Sequence, residues 1–278
     1  MDILTLQSLF VPIAFMVFGI FLLIKGGNAT IDSAVFIARR FGLSPMVVGF
    51  TVLAFGTSLP ELIVSILSVL RGAEGIAMGN VIGSNIANIL LVIGSATVIA
   101  TMHITISKGL VRDVAMMLGS SFLLMVLMLY GEISRVAGIA MVVALLLYVF
   151  VQYRMAKQGE AALDPDAENV QDFKNPMQPY IFLGLGLLGV ALGAEVLVRG
   201  ASQSALILGI PEDIIALSVI ALGTSLPELS TSIIGARRGH SDMALGNIVG
   251  SNVFNVLMII GITAIVKPIA AGSYAAQL

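Results

Sequence analysis

The chain has 278 residues, 58% of them apolar and 11% charged, with mean hydropathy +1.04 and a formal net charge of −2. An ordinary soluble domain is about 45–50% apolar and about 25% charged, so this composition excludes a water-soluble globule and a disordered chain. The absence of cysteine excludes a disulfide framework, Cys-ligated zinc or iron–sulfur centres and a thiol nucleophile. No basic field is available for nucleic acid. The expected environment is the lipid bilayer.

A helix needs ~20 mostly apolar residues to cross the hydrocarbon core. In chain order, spans are expected at 9–26, 45–70, 76–100, 113–130, 135–153, 179–198, 213–236 and 243–266. The first is not a signal peptide, because its leading flank carries Asp2 and no positive charge. Between spans five and six, residues 154–178 hold Lys157, Glu160, Asp164, Asp166, Glu168, Asp172 and Lys174 with Pro165 and Pro176, the composition of a solvated linker. Its acidic residues lack EF-hand spacing.

Loops after odd-numbered spans carry Lys25, Arg39, Arg40, Lys108, Arg112, Arg154, Lys157, Lys174, Arg237 and Arg238. Only Arg71, Arg135, Arg199 and Lys267 lie on the other side. The positive-inside rule then places the N-terminus outside and the 154–178 linker in the cytoplasm. The expected location is a prokaryotic plasma (inner) membrane.

An internal repeat organises the chain. Residues 42–94 and 209–261 align at a constant offset of 167 without gaps, with 24 identities in 53 positions. Gly56–Leu62 matches Gly223–Leu229 residue for residue. Gly79, Asn80, Gly83, Ser84, Asn85 and Asn88 match Gly246, Asn247, Gly250, Ser251, Asn252 and Asn255. Five spans separate corresponding points, an odd number, so the copies cross the membrane in opposite directions, the inverted-topology arrangement of secondary transporters. The domains expected are a first repeat at 1–153 with five spans, the linker at 154–178, and an incomplete second repeat at 179–278. Leu278 corresponds to Val111, so the partners of spans four and five are missing, as in a C-terminally truncated chain.

Glu61 and Glu228 fall near the middle of spans two and seven, where a carboxylate is costly and marks function by default. A protonated Glu in a helix–helix hydrogen bond is the plain alternative, and the recurrence of the pair inside one polar motif weighs against it. Pro60 and Pro227 cannot donate to the carbonyls of Gly56 and Gly223. Irregular backbone at membrane depth is tolerated where it is buried or lines a cavity, so carbonyls around 54–56 and 221–223 join the hydroxyls of Thr57, Ser58, Thr224 and Ser225 as candidate ligands. Asn80, Ser84 and Asn88 share one helical face, as do Asn247, Ser251 and Asn255. The nearby glycines allow close helix approach. An all-oxygen set without sulfur or imidazole suits hard cations such as Ca2+ or Na+, and two carboxylates match one divalent charge. Without a cation one of them would take up a proton, so H+ coupling stays open.

The two GTSLPE segments, each followed by GN-x-x-GSN-x-x-N, resemble the two alpha-repeats of the sodium/calcium exchanger family, within the cation/Ca2+ antiporters. The resemblance covers about residues 10–266. It implies an all-α bundle of ten helices, eight present here, with helices two, three, seven and eight building the ion sites. Matched by motif position, Glu61 and Glu228 are the central carboxylates. Thr57, Ser58, Thr224, Ser225, Ser84 and Ser251 are flanking hydroxyl ligands, Ala54 and Ala221 donate carbonyls, and Asn88 is an amide ligand. Asn255 completes the metal set at the position where sodium-coupled members often carry Asp. The implied activity is exchange of Ca2+ for Na+ by alternating access, without a cofactor. H+-coupled exchange, a cation channel and a non-transporting fragment are the alternatives. An enzyme is not expected: His103 and His240, the only histidines, sit at span ends without counterparts in the other repeat. No phosphate-cradling loop supports ATP-driven pumping.

Overall fold

The computed structural model describes residues 3–104, 106–156, 173, 175–211 and 221–270. These are nearly all helical. Helix α1 spans Ile3–Phe41, α2 Pro45–Thr57, α3 Leu59–Leu70, α4 Glu74–Ile99, α5 Lys108–Leu129, α6 Arg135–Met155 and α7 Gln178–Ile207. They are followed by a short turn of helix, α8 (Ala221–Gly223), then α9 (Leu226–Arg237) and α10 (Ser241–Val266). Among the described residues, six helices are long and apolar enough to cross a membrane, or seven if the bent pair α2–α3 is one span. The first half of the span expected at 213–236 and most of the 154–178 linker lie outside the described residues.

Two expectations need correction. The first span is not 9–26 but one helix ending at Phe41, so Lys25 sits exposed on a helix rather than in a loop. The Gly26–Gly27 pair at the end of the expected span is used for packing. A Cβ on Gly26 would lie 2.7 Å from the Gly186 carbonyl oxygen, and one on Gly19 equally close to that of Gly193. Small residues let the backbones touch where lipid offers no hydrophobic drive for association. The second correction is a two-stranded antiparallel ladder in the all-α fold, β1 (Glu132–Ile133) with β2 (Ile269–Ala270), pairing Ile133 with Ile269.

Contacts between α1 and α7 step in opposite directions: Pro12 with Gly200, Gly19 with Gly193, Gly26 with Gly186. The helices therefore run antiparallel, and they correspond to each other under the 167-residue offset. The turns repeat as well. Gly72 and Gly239, counterparts at φ +76° and +82°, end α3 and α9. Behind each, the next residue donates its N–H back five positions, Ala73 to Ser68 and His240 to Gly235, both at 2.9 Å. This is a Schellman closure, which calls for the left-handed conformation that glycine adopts without strain.

Helix α10 is the axis of the bundle. Its most apolar window is 89% buried, against 22–28% in the other five long helices. Those present Phe10, Val17, Leu90, Phe122 and Leu146 outward, an apolar exterior that suits lipid. Serines cap the membrane-edge helix starts: Ser107 Oγ accepts from Leu110 N–H, and Ser134 Oγ from Ala137 N–H.

Candidate functional site

Both GTSLPE motifs break their helices at the same place. Ser58 (φ −85°, ψ 2°) separates α2 from α3 with a 42° bend, and Ser225 (φ −86°, ψ 1°) separates α8 from α9. Those dihedrals lie in the sparsely populated bridge region. Pro60 and Pro227 then fall in the first turn of the following helix, where the missing N–H costs nothing. Glu61 and Glu228 follow each proline, in the first turn as well. Both are fully buried.

The surrounding hydroxyls and amides cross between repeats. Thr57 Oγ1 lies 3.4 Å from Ser251 Oγ, and the counterpart pair Thr224 and Ser84 is also 3.4 Å apart. Thr57 donates to the Leu53 carbonyl at 3.1 Å and lies 3.3 Å from Asn247 Oδ1. Ser58 donates to Glu228 Oε1 at 3.3 Å. The structure thus brings Thr57, Ser58, Glu228 and Ser251 together, and Ser84 with Thr224. The Ala54 carbonyl is not fully freed by the break, since it accepts from Ser58 N–H at 3.1 Å; one lone pair remains. Of Ala221 only the backbone is described.

Many buried oxygens here have no donor. Both carboxylate oxygens of Glu61, Glu228 Oε2, Asn88 Oδ1, Asn252 Oδ1, Asn255 Oδ1 and the Ser225 hydroxyl are without hydrogen-bond partners. Buried polar groups are nearly always paired, so this cluster is unusual. Apart from Ser225 these oxygens act as acceptors when the carboxylates are ionised, and the Asn88 Nδ2 donor beside them also lacks a partner. No three His, Cys, Asp or Glu side chains come together among the described residues. A cation between Glu61 and Glu228 would therefore be completed by hydroxyl, amide and carbonyl oxygens, as hard cations require.

Three features were not anticipated. Asn80 and Asn247 are struts rather than ligand candidates: Asn80 Nδ2 donates to Ser65 Oγ (3.0 Å) and the Glu61 carbonyl (3.1 Å), while Asn247 Nδ2 donates to Thr231 Oγ1 (3.0 Å) and Ser232 Oγ (3.3 Å). Ser65 and Ser232 also match at the 167-residue offset, which was the available signal. Asn85 and Asn252 meet each other, with Asn85 Nδ2 donating to the Asn252 carbonyl at 3.3 Å. Finally, the helices widen into π turns at Asn88–Val92 and Asn255–Ile260. Such bulges occur often at functional sites, and they leave no composition signature.

Gly250 lets α10 approach α2, since a Cβ there would lie 2.4 Å from the Phe50 carbonyl oxygen. His240, on the turn before α10, has its pKa lowered by burial and then by Arg238 and Arg39. His103 is exposed. Neither belongs to the Glu61–Glu228 cluster.

The family profile described as "Sodium/calcium exchanger protein" matches residues 11–154 and 179–277. The chain is 34% identical over 263 residues to inner membrane protein YrbG of Escherichia coli K12, covering 92% of this chain and 80% of that protein. It is 32% identical to the sodium/calcium exchanger MaX1 of Methanosarcina acetivorans, covering 92% of this chain and 83% of the relative. Its fold is similar to the solved sodium-calcium exchanger NCX_Mj soaked with zero Na+ and Ca2+, with a TM-score of 0.80 and 30% identity over 96% of this chain and 86% of that one. The bent motif helices, their buried carboxylates and a match to nearly the whole chain agree, and this membrane protein belongs to the sodium/calcium exchanger family.

Proposed function

We propose that the chain is a secondary active antiporter that exchanges Ca2+ for a monovalent cation, Na+ foremost, at a mid-membrane site held by Glu61 and Glu228. The observation that carries this reading is the cluster of buried oxygens without donors. A cation satisfies these oxygens and offsets the two buried carboxylates, whereas water donates hydrogen bonds but leaves the charge unopposed. Thr57, Ser58, Ser84, Thr224, Ser225 and Ser251 complete the ligand shell, with Asn88, Asn255 and the backbone carbonyls of Ala54 and Ala221. Names of relatives and structural neighbours that specify sodium and calcium support the same ions.

Alternating access needs two arrangements of the site of similar energy. Counterpart helices that run antiparallel provide them, because exchanging the roles of the repeats turns one side of the membrane into the other. The breaks at Ser58 and Ser225 are the points where short helices can pivot. H+ is the second coupling ion, favoured by the amide of Asn255, which leaves only two carboxylates in the site. The membrane is a prokaryotic inner membrane, as the E. coli relative's name specifies for that protein. With Lys25 on the helix, the remaining basic residues still place the N-terminus outside and the linker in the cytoplasm.

The test is calcium uptake into proteoliposomes driven by an outward sodium gradient, repeated with a proton gradient. Uptake that follows either gradient supports antiport. Passive equilibration unaffected by both gradients would make the protein a channel.

A further inference from the structure

A groove of about 460 Å3 runs between α1 and α9, outside the Glu61–Glu228 cluster, with Ile20 and Ile24 on one wall and Leu229 and Ile233 on the other. The two helices run side by side in the same direction, since Leu23 meets Ser230 and Asp32 meets Arg238. Ile20 and Ile24 are half-exposed, so the groove opens away from the bundle. The Ser230 hydroxyl in its wall is already used, donating to the Leu23 carbonyl at 3.1 Å. Along its length the groove therefore offers apolar contact and no free donor, which suits a hydrocarbon chain.

Its end is different. Asn28, Arg237 and Arg238 line the groove where α9 stops. Arg238 is held by Asp32. The Arg237 side chain is exposed and has no hydrogen-bond or ion-pair partner among the described residues. A guanidinium with its fork free suits a phosphate, which it grips through two parallel hydrogen bonds. The dimensions agree. Helix α9 has 12 residues, about 18 Å of helix, and starts at the Ser225 break. One leaflet of the hydrocarbon core is ~15 Å deep. With that break near the midplane, Arg237 reaches the headgroup level.

We propose that this groove holds one anionic phospholipid from the leaflet on the Arg237 side, with an acyl chain between α1 and α9 and the phosphate on Arg237. The bilayer itself supplies such lipids, and basic pockets between helices at the membrane edge recognise their headgroups. Leu226 and Leu229, on either side of Glu228, belong to the same wall, so the bound chain bears on the helix that carries this carboxylate. The inference does not depend on which ions are exchanged.

The experiment is native mass spectrometry of the lipid-depleted full chain in detergent, titrated separately with dioleoyl phosphatidylglycerol, dioleoyl phosphatidylcholine and oleate. The wild type should retain one phosphatidylglycerol at least about fivefold more tightly than phosphatidylcholine, the effect of one arginine near the membrane surface. Arg237→Gln should remove that preference, and Arg135→Gln, at an exposed arginine on α6, should keep it. Ile233→Trp, which fills the groove and leaves Arg237 in place, should weaken phosphatidylglycerol binding. Equal retention of the two phospholipids by the wild type, or an unchanged preference in Arg237→Gln, would reduce the occupant to ordinary boundary lipid and overturn the proposal. Oleate held as tightly as phosphatidylglycerol would replace the phospholipid with a free fatty acid. Unchanged binding in Ile233→Trp would take the chain out of the groove. The wild-type comparison and Arg237→Gln, a change at an exposed side chain, decide the matter even if Ile233→Trp fails to fold.

Discussion

Asn85 donates from its side chain to the backbone carbonyl of Asn252, its own counterpart in the second repeat, at 3.3 Å. A residue that touches its own counterpart lies where the two repeats exchange places. The hydrogen bonds around that point depart from symmetry. Asn255 Nδ2 donates to Asn85 Oδ1 at 3.0 Å, while the Asn88 amide has no partner. Ser58 donates to Glu228, while Ser225 and Glu61 have none. The two halves of the cluster are thus unequally hydrogen-bonded.

That asymmetry predicts different costs for matched mutations. Ser58→Ala removes a hydrogen bond to a buried carboxylate, worth about 1.5–3 kcal/mol. Ser225→Ala removes a hydroxyl without a partner and should be close to neutral. Thermal unfolding of the purified protein in a calcium chelator checks this. Equal destabilisation by both would contradict the asymmetry.

Glu61→Gln and Glu228→Gln each keep the side-chain shape and remove one of two anionic groups. Each is expected to lower calcium flux by at least about tenfold, the effect of only ~1.4 kcal/mol, with expression and helical content unchanged. Calcium flux assays with circular dichroism on the same preparations check it. Near-normal flux in either variant would make that carboxylate structural.

The close crossing of α10 and α2 gives a packing prediction. Gly250→Ala places a methyl against the Phe50 backbone and should cost about 1–3 kcal/mol. Gly119→Ala, in α5 with nothing within 4 Å of the added carbon, should be neutral or stabilise by up to ~1 kcal/mol. Unfolding midpoints of the two variants should move in opposite directions or by clearly different amounts.

His240 gives a pH prediction outside the membrane spans. Its folded pKa lies below the ordinary 6.5, chiefly through burial, then through Arg238 and Arg39, with Asp32 opposing. As pH falls below 6.5, the unfolded chain binds a proton that the folded one does not, so this contribution to stability is complete above 6.5 and lost on acidification. The unfolding midpoint of His240→Gln should fall less steeply than wild type between neutral and mildly acidic pH. Parallel curves would contradict it.

Much of this arrangement was legible in the sequence because the repeat checks itself. Glu61 and Glu228, the breaks before Pro60 and Pro227, and the hydroxyls around them all recur at one offset, and accidental motifs do not. The full length of α1 was not legible because the first apolar run ends near Lys25, and only the partner helix α7 shows that Gly26 beyond it serves packing. The strut role of Asn80 and Asn247 was hidden because an amide facing the right way is equally suited to bind an ion or to brace a serine. The π turns at Asn88 and Asn255 arise from how the helices pack, a property that side-chain periodicity does not carry.

Calcium counterflow tests the central claim most directly. Vesicles loaded with unlabelled calcium and placed in trace radioactive calcium should accumulate label transiently above equilibrium, because a carrier that returns only when loaded exchanges one ion for another. The account predicts that overshoot for the wild type and its loss in both Glu61→Gln and Glu228→Gln. Monotonic equilibration by the wild type, or an overshoot that survives either substitution, would contradict it.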